Sequence, residues 1–261
     1  MRLEVVLVLY FVLVSLMKVC KMDIIEKIKA KQADFYNQKS ITIVFLGDSV
    51  TQGCFECYFN KADKLDTFFE TDKAYSSILK KMLNKLYPKV QFNIINSGLS
   101  GDSAPNGLQR MDRDVFAYNP DLVVVAFALN DSCQGVDGLD KYGRSIEEIL
   151  LRLKENKVES IILTPNAMNT EVSCFLNDDR LIALANSFAE IQNSGLLKLY
   201  VEKEKSIAQK HDIKVCDMYD WWETMIECGV ETTELLSNKL NHPIREMHYF
   251  TAIKLLETIL T

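Results

Sequence analysis

Three histidines, at positions 211, 242 and 248, and a few Ser, Asn and Asp residues set beside glycines are the groups in this chain that could do chemistry together. One such group is Gly47-Asp48-Ser49-Val50-Thr51-Gln52-Gly53. It contains no G-x-G-x-x-G, so a dinucleotide fingerprint is absent. Gly47 to Gly53 is one residue too long for a phosphate-binding loop, and no Lys follows Gly53. The nucleophile elbow G-x-S-x-G fails as well, because Thr51 stands where its second Gly belongs. What is left is Ser49 in a context that permits a tight turn. It can act as a nucleophile, or simply cap a helix by accepting a backbone N–H.

Two further groups offer hydrogen-bond donors. They are Ser97-Gly98-Leu99-Ser100-Gly101-Asp102 and Ala128-Leu129-Asn130-Asp131. A Gly can present its N–H and an Asn its side-chain amide. With the N–H of a nucleophile these could converge on one anion, as an oxyanion hole requires. Taken singly, each stretch is ordinary turn composition. Cys54-Phe55-Glu56-Cys57 is one C-x-x-C with no second pair and no nearby His, so no metal is expected there. No cofactor is expected either.

The elements that must position these residues can be read from hydrophobic runs. Residues 41–46, 92–96, 122–127, 160–163 and 213–216 are short, rich in Val and Ile, and bounded by turn residues. Lacking clean alternation, they suit strands buried on both faces of a parallel sheet. Helical stripes lie between them: Tyr75, Ile78, Leu79, Met82, Leu83 and Leu86, ended by Pro88; then Ile146, Ile149, Leu150 and Leu153; then a long helix over 179–209. Ile253, Leu255, Leu256 and Ile259 suggest a closing helix. This alternation predicts a three-layer α/β/α sandwich with a parallel sheet of about five strands and right-handed crossovers. Ligands in such folds bind outside the carboxyl ends of the strands. Ser49, Gly101 and Asn130 all follow predicted strands at that edge.

A nucleophilic Ser needs a base. His211 precedes the last predicted strand and so falls at the amino end of the sheet, while His248 lies within the closing helix as a structural histidine. His242 sits in the loop Leu240-Asn241-His242-Pro243, where Pro243 keeps it out of helical geometry. By elimination it is the base candidate.

At this point the chain resembles the SGNH (GDSL-type) hydrolases, a family of esterases and lipases of flavodoxin-like fold. Gly47-Asp48-Ser49 resembles the family's first block, which implies Ser49 as nucleophile and first oxyanion donor. Ser100-Gly101-Asp102 matches the second block and implies Gly101 as a donor. Ala128-Leu129-Asn130-Asp131 resembles the third and implies Asn130, although Ala128 replaces the usual Gly. His242-Pro243 resembles the fifth. The blocks occur in the expected order over residues 40–259, and the resemblance implies hydrolysis through an acyl-serine.

One block departs from the pattern. The fifth is normally D-x-x-H, but Lys239 occupies the position three before His242. The acid is then either absent, leaving a dyad whose tautomer is set by a neutral acceptor such as Asn238 or a backbone carbonyl, or supplied by Asp217 or Asp220. The competing reading for the two Asp residues is a helix N-cap ahead of Trp221-Trp222.

Composition sets the outer bounds. The 261 residues are 48% hydrophobic and 25% charged, which excludes a disordered or fibrous chain. A net charge of −6 argues against a nucleic-acid partner, which calls for a basic face. Seven Cys in a chain of this length point to reduced thiols rather than a disulfide framework. Residues 1–21 form a hydrophobic leader: as a helix, 5–17 would reach only about 20 Å, short of a bilayer core of about 30 Å. A signal peptide, a lipid anchor on Cys20 and a working start at Met22 remain as readings. The last implies a cytoplasmic protein, the others a secreted or anchored one, with membrane contact only through residues 5–17. Residues 22–261 are expected to form the hydrolase-like domain. The expected partner is a small acyl ester, such as a carbohydrate O-acetyl group. A thioesterase or lysophospholipase would use the same residues, and a catalytically weak glycan- or acyl-binding member is the alternative that a missing acid suggests.

Overall fold

A computed structural model describes residues 23–261; the run at residues 5–17 and Cys20 lie outside the described residues. The Val- and Ile-rich runs become parallel strands and the amphipathic stretches become helices. In chain order the elements are α1 (Asp23–Ala33), β1 (Ile41–Gly47), α2 (Ser49–Gln52), β2 (Cys54–Phe59), β3 (Leu65–Phe69), α3 (Tyr75–Leu86), β4 (Phe92–Gly98), α4 (Ala104–Gln109), α5 (Met111–Asp114), β5 (Leu122–Ala126) and α6 (Leu129–Ser132). They continue with α7 (Leu139–Glu155), β6 (Glu159–Leu163), α8 (Asp179–Asn193), α9 (Leu196–His211), β7 (Lys214–Cys216), α10 (Met218–Glu227) and α11 (Arg245–Leu260).

The main sheet has the order β4-β1-β5-β6-β7 and every pairing in it is parallel. Successive residues of β1 feed opposite cores. Ile41, Ile43 and Phe45 join one cluster with Tyr75, Leu79, Trp222 and Leu255, whereas Val44 and Leu46 join the other with Ile146, Leu150, Tyr200 and Val201. Helices therefore cover both faces, which is why these strands are apolar without alternating. Burying each such Ile or Leu contributes about 1.5–3 kcal/mol.

Two details differ from the sequence reading. The helix expected over 179–209 is two helices, α8 and α9, because Gly195 between them takes φ +78°. A left-handed residue cannot continue an α-helix. In α11 the buried residues are Met247, His248, Ala252, Leu255 and Ile259, while Ile253 faces outward.

The sheet order places a topological switch at β1, whose neighbours β4 and β5 lie on opposite sides. Gly47 pairs in register with both Gly98 and Ala126, so three strands end at one level. There α2 packs straight onto β4. A Cβ on Gly98 would come 2.3 Å from the Gln52 backbone nitrogen, so the turn after β1 can sit there only against a Gly. Outside this sheet, β2 and β3 form an antiparallel hairpin that the sequence reading did not anticipate.

Candidate active site

Ser49 opens α2, directly after the buried strand β1. Asp48 is the N-cap, its carboxylate accepting the Val50 N–H at 2.9 Å. Burial pushes the Asp48 carboxyl up to about 7, against the opposing effect of that N–H. The Ser49 N–H is one of the orphan donors at a helix start, so it remains available.

His242 comes to Ser49 from 193 residues away, with Nε2 3.0 Å from the Ser49 Oγ. Its Nδ1 lies 2.9 Å from the backbone carbonyl oxygen of Phe55 in β2. A carbonyl can only accept, so Nδ1 carries the proton and Nε2 is left free to accept the Ser49 hydroxyl. The ring is buried, and burial lowers its pKa to about 4, with the Phe55 carbonyl pulling the other way. Cys57 Sγ lies 3.8 Å from the same Nδ1. The imidazole is thus neutral at pH 7 and oriented by an uncharged acceptor.

The loop that carries His242 is tied from within. Asn238 Oδ1 accepts the N–H groups of Leu240, Asn241 and His242 at 2.9–3.0 Å. The Ser237 N–H donates to the His242 carbonyl at 2.6 Å, and Leu236 bridges to Pro243. Of the two neutral acceptors expected for the ring, a backbone carbonyl is the one at Nδ1, while Asn238 holds the backbone of His242 and makes no hydrogen bond to the ring. Of the two readings for Asp217 and Asp220, the helix N-cap is the one the structure fits, and neither is the acid. Asp217 caps α10, accepting the Asp220 N–H, the Thr164 hydroxyl and the Lys205 ammonium at 2.8–3.1 Å. Asp220 is an exposed residue of that helix. Among the described residues no carboxylate hydrogen-bonds His242. Lys239, at the family's acid position, has φ +58° and pairs with Glu234 at 2.8 Å.

The candidate N–H donors come from the two neighbouring strands. Asn130, in α6 after β5, donates one amide N–H to the Asp102 carbonyl at 2.8 Å, which orients the side chain and leaves its second N–H free. Gly101 follows β4, and its N–H bonds to none of the described residues. The loop around it is fixed by the Ser100 N–H donating to Gln52 Oε1 at 2.6 Å. Asp131 is buried beneath, accepting the Ala104 and Ala128 N–H groups at 3.0 and 3.2 Å, with its carboxyl pushed up by burial to about 6. Ala128, at the family's Gly position, takes φ +93°, a conformation costly for a residue with a Cβ.

Ser49, Gly101, Asn130 and His242 all line one cavity of about 370 Å³. Its walls are Cys57, Leu65, Thr67 and Phe69 of the hairpin and Leu184 and Phe188 of α8. The arrangement can bring a nucleophile, a neutral base and three N–H donors to one carbonyl group.

Sequence reasoning left two contributors unidentified. The Phe55 carbonyl is a backbone atom, so no residue type announces it. Arg110 is a nearly buried cation beneath the site, donating to the carbonyls of Gly47 and Ser97 and pairing with Asp102 at 2.7 Å. It ties the ends of β1 and β4 to the Gly101 loop, and within the charged run Arg110-Met111-Asp112-Arg113-Asp114 nothing in the sequence sets it apart.

Residues 45–248 match the GDSL-like lipase/acylhydrolase family. An acetylxylan esterase of Geobacillus stearothermophilus is 25% identical over 132 residues, an alignment covering 47% of this chain and 58% of that protein. The chain thus spans little more than half the length of that relative. Solved structures with similar folds include a two-domain esterase active on acetylated mannans (TM-score 0.63, 17% identity, 91% of this chain and 52% of that one). A second is an acetyl xylan esterase (TM-score 0.62, 18% identity, 84% of this chain and 100% of that one). A third is a lipase/acylhydrolase from Enterococcus faecalis (TM-score 0.59, 20% identity, 84% and 95%).

Proposed function

This chain belongs to the GDSL-like lipase/acylhydrolase family, and from that membership we propose that it is a serine esterase removing a small acyl group, an acetyl on a carbohydrate hydroxyl, through an acyl-Ser49 intermediate. In this reading Ser49 Oγ attacks the ester carbonyl while His242 Nε2 takes its proton. The N–H groups of Ser49 and Gly101 and the Asn130 amide stabilise the oxyanion. His242 then protonates the leaving alcohol, and a water repeats the sequence on the acyl-enzyme. The observation that carries the reading is the 3.0 Å contact of Ser49 Oγ with a His242 whose other nitrogen is occupied. The small acyl group and the carbohydrate are suggested by relatives named for acetylated xylan and mannan.

A second reading follows from the uncharged acceptor at Nδ1. A carboxylate stabilises the imidazolium formed during attack, and a carbonyl dipole does so less, so a slow, ligand-binding member of the family is the alternative. Chromogenic acyl esters of rising chain length separate the readings. The esterase reading expects turnover greatest on acetyl and lost by ~10⁴-fold in Ser49→Ala. A fluorophosphonate that still labels Ser49→Ala would overturn the assignment of the nucleophile. Highest turnover on long chains would point to a lysophospholipase instead.

A further inference from the structure

We propose that Arg245 is a positioning residue for this hydrolysis, holding in place the Phe55 carbonyl that orients His242. The inference rests on the Ser49–His242 reading above. That carbonyl belongs to the peptide group joining Phe55 to Glu56, so whatever fixes both residues fixes it. Helix α11 fixes both. The Phe55 ring is packed by the Arg245 guanidinium, 4.2 Å from its centroid, and by the His248 ring at 5.0 Å. The Glu56 carboxylate receives both terminal nitrogens of Arg245, at 2.5 and 2.9 Å.

The bracket extends to the hairpin's other strand and to the histidine loop. Arg245 Nε donates to Glu70, just past the end of β3, at 2.6 Å. Ser237 Oγ donates to Glu56 at 2.7 Å, and the Ser237 N–H donates to the His242 carbonyl at 2.6 Å. Arg245 therefore sits where the hairpin, α11 and the base loop meet.

The need for such a bracket follows from where the acceptor is. A D-x-x-H carboxylate shares a loop with its histidine and moves with it. Here the acceptor lies on a hairpin that forms no ladder with the main sheet and whose Leu65, Phe68 and Phe69 are exposed. Side chains must do what sheet pairing does elsewhere. A guanidinium suits this, since its planar fork engages two carboxylates while its face stacks on a ring. Arg245, Glu56 and Glu70 are each about a third or more exposed, so they add little to global stability. Their consequence is geometric.

The test compares Arg245→Met, Arg245→Lys and Glu56→Gln in the full chain. Its readouts are kcat and KM on a chromogenic acetyl ester, thermal unfolding, and the imidazole ¹⁵N shifts of His242, which report the tautomer. Arg245→Met is expected to lower kcat by ~10–100-fold with KM little changed, the loss that a small misplacement of a reacting group produces. The tautomer should drift from Nδ1–H toward the Nε2–H form favoured in water. Lys should restore part of both, and Glu56→Gln should fall between. Unchanged kcat and tautomer in Arg245→Met and Glu56→Gln would overturn the proposal. So would a loss of kcat that follows the unfolded fraction while the tautomer stays fixed. If Arg245→Met does not fold, Glu56→Gln decides alone. Ser49→Ala and His242→Gln run in parallel: retained activity there refutes the dyad, whereas lost activity beside a normal Arg245→Met refutes only the bracket.

Discussion

Supplying the missing carboxylate should convert a weak base into a stronger one, and Cys57→Asp is the substitution that does it. Cys57 Sγ lies 3.8 Å from His242 Nδ1 and 3.4 Å from the Asn238 amide nitrogen. A carboxylate at this position extends one bond farther, into hydrogen-bond reach of Nδ1, and gains the Asn238 N–H as a donor. In the wild type, lowering the imidazole from 6.5 to about 4 opposes its charging by roughly 3 kcal/mol. A negative charge about 4 Å away, at an effective dielectric of about 20, returns about 4 kcal/mol before its own desolvation is subtracted. The two nearly cancel, so the His242 pKa should rise to roughly 6–7 and kcat should increase by ~10–100-fold. With three histidines in the chain, proton NMR titration resolves each ring, and His242→Asn assigns the one of interest. A neutral ring is needed for attack, so activity falls as pH drops through this pKa: near 4 in the wild type, near neutrality in the variant. A wild-type His242 that titrates at or above 6.5 would refute the reasoning. So would a folded Cys57→Asp protein with an unmoved His242 pKa. Lys239→Asp should not reproduce the gain, because Lys239 is directed toward Glu234.

Three further outcomes are expected. Asn130→Ala should lower kcat by ~10²–10³-fold with little change in KM, measured on the acetyl ester, since the proposed role sets its second N–H against a charge that exists only during reaction. Asp48→Asn should raise the melting temperature more at pH 8 than at pH 4. The folded pKa of about 7 lies above the unfolded value of 3.8, so stability falls as pH rises between them, and an amide removes that slope. Ala128→Gly should leave the unfolding free energy in urea level or raise it by up to about 1 kcal/mol, as relief of the φ +93° strain offsets the lost methyl and the added chain entropy.

The sheet was legible because burial on both faces leaves a strong mark: an unbroken apolar run such as Leu122-Val123-Val124-Val125-Ala126 admits few other structures. Ser49, Gly101 and Asn130 were legible as candidates for a related reason, since each follows such a run at the edge where ligands bind. What escaped was whatever depended on backbone atoms or on local pairing. The hairpin from Cys54 to Phe69 is half exposed and irregular in register, so neither alternation nor an apolar run marks it. Its aromatic content at Phe55, Tyr58, Phe59, Phe68 and Phe69, split by Asn60 to Asp63, was the available signal. Asn238 was noticed for its side chain, yet its part is to satisfy three backbone N–H groups. Which donors an Asn carbonyl gathers is decided by the loop it closes, and spacing alone does not encode that.

The separation of Ser49 from His242 also bears on biosynthesis. A ribosome adding ~5–20 residues per second takes roughly 10–40 s to lay down the interval between them, which is 193 residues. Throughout that time the nascent chain displays a serine with no base to activate it. On the proposed mechanism, turnover begins only after the loop bearing His242 has left the exit tunnel and docked against the hairpin. On the proposed mechanism, the order of synthesis keeps the growing chain inert toward esters around it until the His242 loop has been made.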